Sequence, residues 1–202
     1  MRRQIGNRWL PVCALLLPLA LLALVLPWPG TREEPAPSSI LSAEDAALQQ
    51  LLQRKLVDVN QKVIDLAAWR GRIQVINFWA TWCAPCKEEM PAFSHLQEAF
   101  PEVRFVGIAV DSVDNVRAFS AKHPVSYPLP LGDDTLLRLS RELGNSYMSL
   151  PFTLVVSQEG KLLAQKSGRF AKDDLAALLR QLTANALPVS PSGNQDQDGA
   201  RN

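Results

Sequence analysis

The longest apolar stretch spans residues 10–28 and contains no charged side chain. About 20 apolar residues cross a bilayer as a helix. Pro11 and Pro18 interrupt the run, but a membrane helix tolerates proline better than a soluble one does. Residues 29–39 then turn to Pro, Gly, Ser and charge, the composition of a tether. Residues 42–56 have helix-forming composition, with Leu48, Leu51, Leu52 and Leu56 near helical spacing. Short strands around a turn at Asn60-Gln61 are expected over residues 56–66. Residues 73–79 form a mostly apolar run that suits a buried central strand. A helix is expected over residues 85–100, with Met90, Phe93, Leu96 and Phe100 on its apolar face and a kink at Pro91.

The β-branched run 103–110 predicts the next strand. Ser112 can cap a helix over residues 113–122, with Val116 and Phe119 facing inward. Pro124, Pro128 and Pro130 mark an extended passage. Asp133 or Asp134 can cap a further helix that ends at Gly144. Residues 152–156 and 161–166 flank Gln158-Glu159-Gly160 and read as a hairpin. A last helix follows Asp173, with Leu175, Leu178, Leu179 and Leu182 on one face. Residues 188–202 are polar, contain Gly and Pro, and read as a disordered tail. The order β, α, β, α, (α), β, β, α predicts an α/β domain. Strands separated by helices pair in parallel, the late hairpin adds an antiparallel edge, and helices cover both faces.

The chain has 202 residues and a formal net charge of +1, which fits one globular domain with appendages. No charge run points to nucleic acid. Arg2, Arg3 and Arg8 precede the apolar segment, so the N-terminus is expected in the cytoplasm and the rest outside it. A cleaved signal peptide is the rival reading. The segment is long for one, and Leu26-Pro27-Trp28-Pro29 follows it without an A-x-A pattern, which favours an uncleaved anchor.

Chemistry concentrates in Trp82-Cys83-Ala84-Pro85-Cys86-Lys87. Of three cysteines, Cys13 lies in the apolar N-terminal segment, so Cys83 and Cys86 form the one local pair. They follow a predicted strand and open a predicted helix. A cysteine at a helix N-terminus feels the positive end of the backbone dipole, which favours its thiolate. A thiolate attacks disulfides, and a second thiol one turn later can release the product from the mixed disulfide. A structural zinc site needs four ligands, and only His95 and His123 could add to the pair. Lys87 stands where haem attachment needs a histidine. A Cu(I)-binding or thiol-docking module stays open, because soft thiolates suit copper. Trp79 is expected in the core. His95, His123 and Asp111 read as ordinary helix, loop and helix-start residues.

The segment 78–87 resembles the active-site segment of the thioredoxin superfamily, and Pro91 matches the kinking proline of its helix. The run from Leu56 through Arg70-Gly71-Arg72 into Asn77-Phe78-Trp79 is similar to the membrane-anchored TlpA-like and ResA-like branch, as is the extra helix before Pro151. The likeness covers about residues 48–182. It implies a thioredoxin fold with a central mixed sheet, helices on both faces, an extra inserted helix and an N-terminal transmembrane helix. It divides the chain into a cytoplasmic stub and anchor (1–28), a tether (29–41), the thioredoxin-like domain (42–187) and the tail (188–202).

The resemblance also implies a redox-active disulfide between Cys83 and Cys86, with Cys83 as nucleophile and Cys86 resolving. Leu150-Pro151 is expected to be a cis bond facing the cysteines, with Leu150 pairing an extended substrate segment. Trp82, Ala84 and Pro85 complete the substrate surface. Thioredoxin's aspartate position is Asn77 here, which cannot titrate. Glu89, three residues after Cys86, matches the ResA-like glutamate and lies over the same helical face. It is expected to tune the thiols and relay a proton. Phe152 departs from the small or polar residue usual after the proline, and from the acidic one of the cytochrome-maturation branch, which leaves the substrate open. The expected activity is thiol-disulfide exchange, preferentially reduction of exported proteins, by a single-pass bacterial inner-membrane protein facing the periplasm. An oxidase or isomerase is the alternative, and secretion after signal cleavage is the alternative location. Electrons would come from a membrane thiol reductant. No cofactor, metal or nucleic acid is expected.

Overall fold

In the computed structural model, which describes residues 42–185, the first helix α1 (Ala43–Leu52) starts where the Ser42 hydroxyl accepts the Asp45 N–H. It ends at Leu52, short of the sequence expectation, because Leu56 is taken into a small hairpin. That hairpin pairs β1 (Lys55–Val57) with β2 (Val63–Asp65), and Gln61 sits in its turn with φ of 63°. A 3-10 turn, Leu66–Trp69, leads into β3 (Gln74–Trp79), every residue of which is buried.

The helix α2 (Ala84–Ala99) runs on through Pro91 as one element. Then come β4 (Arg104–Ala109), α3 (Val113–Lys122), α4 (Asp134–Glu142), β5 (Phe152–Val156), β6 (Leu162–Ser167) and α5 (Lys172–Asn185). Ser112 caps α3, and Asp133 rather than Asp134 caps α4.

Four strands form the main sheet in the order β4-β3-β5-β6. β3 and β4 are parallel, with Trp79 opposite Ala109. β5 runs antiparallel to β3, with Phe152 opposite Phe78. The late hairpin therefore does more than add an edge. Its first strand is central and wholly buried, and only β6 forms the border, with an exposed face. Five consecutive buried residues in β5 have no polar face to spare, so the strand has to lie inside the sheet.

Side chains alternate across the sheet and divide the core in two. Val75, Trp79, Phe105 and Val155 pack with Met90 and Phe93 of α2, Val116 of α3 and Leu175 of α5. Ile76, Phe78, Ile108, Phe152 and Leu154 pack with Leu48 and Leu51 of α1 and Leu136 of α4. Each large apolar side chain buried this way contributes about 1.5–3 kcal/mol. Asn77 alternates onto the α2 side, so the buried run of β3 delivers one polar group beneath that helix. The N-terminal segments 1–41 and the tail 186–202 lie outside the described residues, and with them the expected anchor. Among the described residues no helix is long and apolar enough to cross a membrane.

Trp79 is fully buried and donates its indole N–H to the Gly107 carbonyl at 3.1 Å. A methyl group on Gly107 would stand 2.7 Å from Leu129 and 3.1 Å from that indole nitrogen. Gly107→Ala should therefore destabilise the domain by about 1–3 kcal/mol, the usual cost of overpacking, read as a lower thermal midpoint. An unchanged midpoint would show that the indole has room to move.

Candidate active site

The C-terminal edge of β3 and β4 carries the loops that matter. β5 is antiparallel to β3, so its N-terminal end reaches the same edge. Three loops meet there: residues 80–83 after β3, residues 110–112 after β4, and residues 145–151 before β5.

Cys83 is the N-cap of α2. Its carbonyl accepts the Lys87 N–H, and its sulfur accepts the Cys86 N–H at 3.3 Å. A disulfide joins Cys83 to Cys86. The two residues differ in access, since Cys83 is 5% exposed and Cys86 is fully buried. Around them Trp82, Ala84 and Pro85 are exposed. The Leu150–Pro151 peptide is cis. Leu150 is half-buried and packs on the apolar cluster that contains both cysteines, while Pro151 is buried.

Glu89 follows Cys86 by three residues on α2 and is buried, 2% exposed. Both carboxylate oxygens are held: Asn77 Nδ2 donates to Oε1 at 2.8 Å, and the Phe170 N–H donates to Oε2 at 3.0 Å. Asn77 Nδ2 is also 3.1 Å from Thr153 Oγ1. The network thus ties α2 to β3, β5 and the loop before α5. Burial lifts the Glu89 pKa from 4.5 to about 7, against the opposing pull of the two hydrogen bonds and of Arg169. Burial, and then the Glu89 charge, raise the Tyr127 phenol above its ordinary value.

Sequence reading placed Glu89 by resemblance but gave Asn77 only the property of not titrating. A polar residue in the middle of a buried apolar run was the available signal. Asp111 was read as a helix-start residue, whereas Ser112 caps α3 and Asp111 does something else. Its Oδ2 accepts the Thr81 N–H at 3.0 Å and also the Thr81 hydroxyl. Its Oδ1 accepts the Ser112 N–H at 2.7 Å and Asn115 Nδ2 at 2.8 Å. Burial raises its pKa, but these hydrogen bonds together outweigh that and hold it below the usual value. The carboxylate pins the loop that leads into Cys83. Trp79 is in the core as expected. His95 is exposed, and His123 stacks on Phe119 with ring centroids 4.5 Å apart. Among the described residues no group of three or more His, Cys, Asp and Glu side chains could hold a metal ion.

Residues 43–165, more than half of the chain, match the AhpC/TSA family model. The chain is similar to the thiol-disulfide oxidoreductase ResA of Bacillus subtilis (strain 168), at 32% identity over 118 residues, 56% of this chain and 63% of that protein. ResA of Bacillus cereus (strain ZK / E33L) is 25% identical over 134 residues, 63% of this chain and 73% of that protein. Among solved structures, a thioredoxin-related protein from Neisseria meningitidis serogroup B is 30% identical, with a TM-score of 0.56 over 64% of this chain and 99% of that one. The α/β fold is thus thioredoxin-like, as the segment 78–87 implied.

Two outcomes follow from the geometry. Between pH 4.5 and about 7 the folded protein keeps a proton on Glu89 that the unfolded chain has released. Its stabilising effect is complete below the unfolded value and lost as pH rises through the folded one. Stability attributable to Glu89 should fall by roughly 3 kcal/mol across that window. Glu89→Gln should flatten the curve in urea melts of the oxidised protein, and parallel curves would refute the assignment. Asp111→Asn offers one oxygen to four donors, so two must lose their acceptor. It should lower stability by about 1–2 kcal/mol, and an unchanged thermal midpoint would show that the pin is dispensable.

Proposed function

The chain belongs to the AhpC/TSA family and is a thiol-disulfide oxidoreductase, and we propose that it works as a reductase of selected exported proteins. Its place, on this reading, is the bacterial inner membrane, held by residues 10–28 with the tether and thioredoxin-like domain in the periplasm. The arginines before that segment and its length support the reading.

In the proposed reaction the dithiol form attacks. The Cys83 thiolate bonds to one sulfur of a substrate disulfide, and the other substrate sulfur leaves as a thiolate that takes up a proton. Cys86, deprotonated, then attacks Cys83. The second substrate sulfur leaves as a thiol, and the Cys83–Cys86 disulfide remains. Two electrons have passed to the substrate. A membrane thiol reductant supplies two electrons and two protons to restore the pair. Cys83 takes the first role because it is at the N-cap and is the more accessible of the two residues. Cys86, buried one turn along, attacks the Cys83 sulfur only after that sulfur has bonded to substrate.

The observation that carries the direction is Glu89 buried on the same helical face as Cys86. A nearby carboxylate disfavours a thiolate. A dithiol whose reduced form gains little from thiolate stabilisation is a better electron donor. About 30 mV corresponds to roughly 1.4 kcal/mol for this two-electron couple, so one such interaction moves the potential appreciably. With a pKa of about 7, Glu89 can also take the Cys86 proton and return it. Leu150, Pro151, Trp82, Ala84 and Pro85 form the docking groove.

Cys86→Ser should trap exported proteins as mixed disulfides through Cys83 and cut insulin reduction by about two orders of magnitude or more. Cys83→Ser should trap none. A reduced wild-type protein that leaves insulin disulfides intact is not a reductase. Loss of bound copper from Cys86→Ser, without trapped partners, would instead establish the metal-binding alternative. In wild type, the rate of insulin reduction should show an inflection near pH 7 that Glu89→Gln removes.

A further inference from the structure

Six large apolar side chains are exposed among the described residues: Val57, Val63, Trp82, Val113, Tyr147 and Leu163. Val57 and Val63 belong to the β1–β2 hairpin, and Leu163 to the border strand β6. The other three lie on or next to the loops of one sheet edge. Trp82 follows β3, Val113 follows β4, and Tyr147 precedes β5. By the register of these three strands, their loops leave the sheet at the edge that holds Cys83. The bonds from Thr81 to Asp111 tie the first two loops together.

Tyr147 is the most conspicuous of the three, 92% exposed where Trp82 is 68% and Val113 39%. Its loop is built to hold it still. The Asn145 carbonyl accepts the Met148 N–H at 2.8 Å and closes a tight turn with Tyr147 near its tip. Asn145 itself is buried, and its side chain donates to Ser140 Oγ at 3.1 Å and the Ser149 carbonyl at 3.0 Å, while its Oδ1 accepts the Ser149 N–H at 2.9 Å. An exposed ring on a fixed mount loses little conformational freedom when something packs on it. Three residues further on, neither the N–H nor the carbonyl of Leu150 is used by a hydrogen bond among the described residues.

We propose that Trp82, Val113 and Tyr147 form an apolar rim that selects extended polypeptide substrates with apolar or aromatic residues close to the reacting cysteine. The inference rests on the reductase reading and specifies its substrate class. Strands β4, β3 and β5 are neighbours, so their loops span roughly 10 Å, the reach of about three residues of extended chain. A segment lying across Cys83 can pair its backbone with Leu150, as in strand addition, and set alternate side chains against the rim. A small charged disulfide has nothing to place there. The surface is continuous with the redox site, which singles out the substrate rather than a separate partner as its occupant.

The test uses the full-length reduced protein and two peptide disulfides of equal length and charge. One carries phenylalanine two residues to each side of its cysteine, and the other serine. Wild type should reduce the phenylalanine peptide with the higher kcat/KM, mainly through a lower KM. Tyr147→Ser should lower that preference about fivefold to tenfold, within the range that one apolar contact supplies. Val113→Ser should lower it by a smaller factor and guards against a Tyr147 variant that fails to fold. Tyr147→Phe should keep the preference. An unchanged ratio in both serine variants overturns the proposal, as does an equal loss on the two peptides. Self-association of wild type that Tyr147→Ser abolishes would give the rim to a second copy and overturn it too. Wild type that reduces neither peptide overturns the reductase reading itself, and the inference with it.

Discussion

A carboxyl group buried in a domain core costs several kcal/mol in its charged form unless its oxygens are met by donors. Glu89 meets that condition through Asn77 and the Phe170 N–H. Satisfying it requires four separate pieces of chain to arrive together. α2 brings the carboxylate, β3 brings Asn77, β5 brings Thr153 beside Asn77, and the loop before α5 brings a backbone amide. The same four pieces frame the cysteines. Fixing the carboxylate therefore fixes the platform on which the disulfide stands.

Two opposing influences then act on the thiols. The N-terminal end of α2 favours a thiolate at Cys83, while the carboxylate below disfavours one nearby. On the proposed reading the first makes the pair fast to attack, and the second makes it willing to give electrons away. In the proposed reduction each influence serves a different step, because the two cysteines sit at different depths. Above the pair, Asp111 holds the entering loop through Thr81 and leaves Trp82 free to face solvent. The chemistry is thus buried on one side and open on the other.

Most of this was legible where the signal is local. The strand into β3, the redox helix, the Ser112 cap and the Leu150-Pro151 position are short-range patterns, and each is where the sequence reading put it. Long-range partners were harder. Asp111 and Thr81 are far apart in sequence, and the residues around Asp111 spelled a helix start just as well. The hairpin was read as an antiparallel edge, and β6 does border the sheet, but only the five buried residues of β5 tell that its first strand lies beside β3. Glu89 was placed by resemblance, since composition alone does not part it from its neighbour Glu88, which is exposed and pairs with Arg169 at 3.2 Å. Only the helical face separates one glutamate from the other, and only the packed structure says which face is covered.

The central claim is that the buried carboxylate keeps this pair poised to donate electrons. The most direct measurement is the redox state of Cys83 and Cys86 in living cells, captured by rapid acid quench and alkylation. A reductase fed by a membrane thiol donor should hold the pair mostly as free thiols. A pair recovered mostly as the disulfide, in cells whose donor system is intact, would contradict the claim and point to an oxidase.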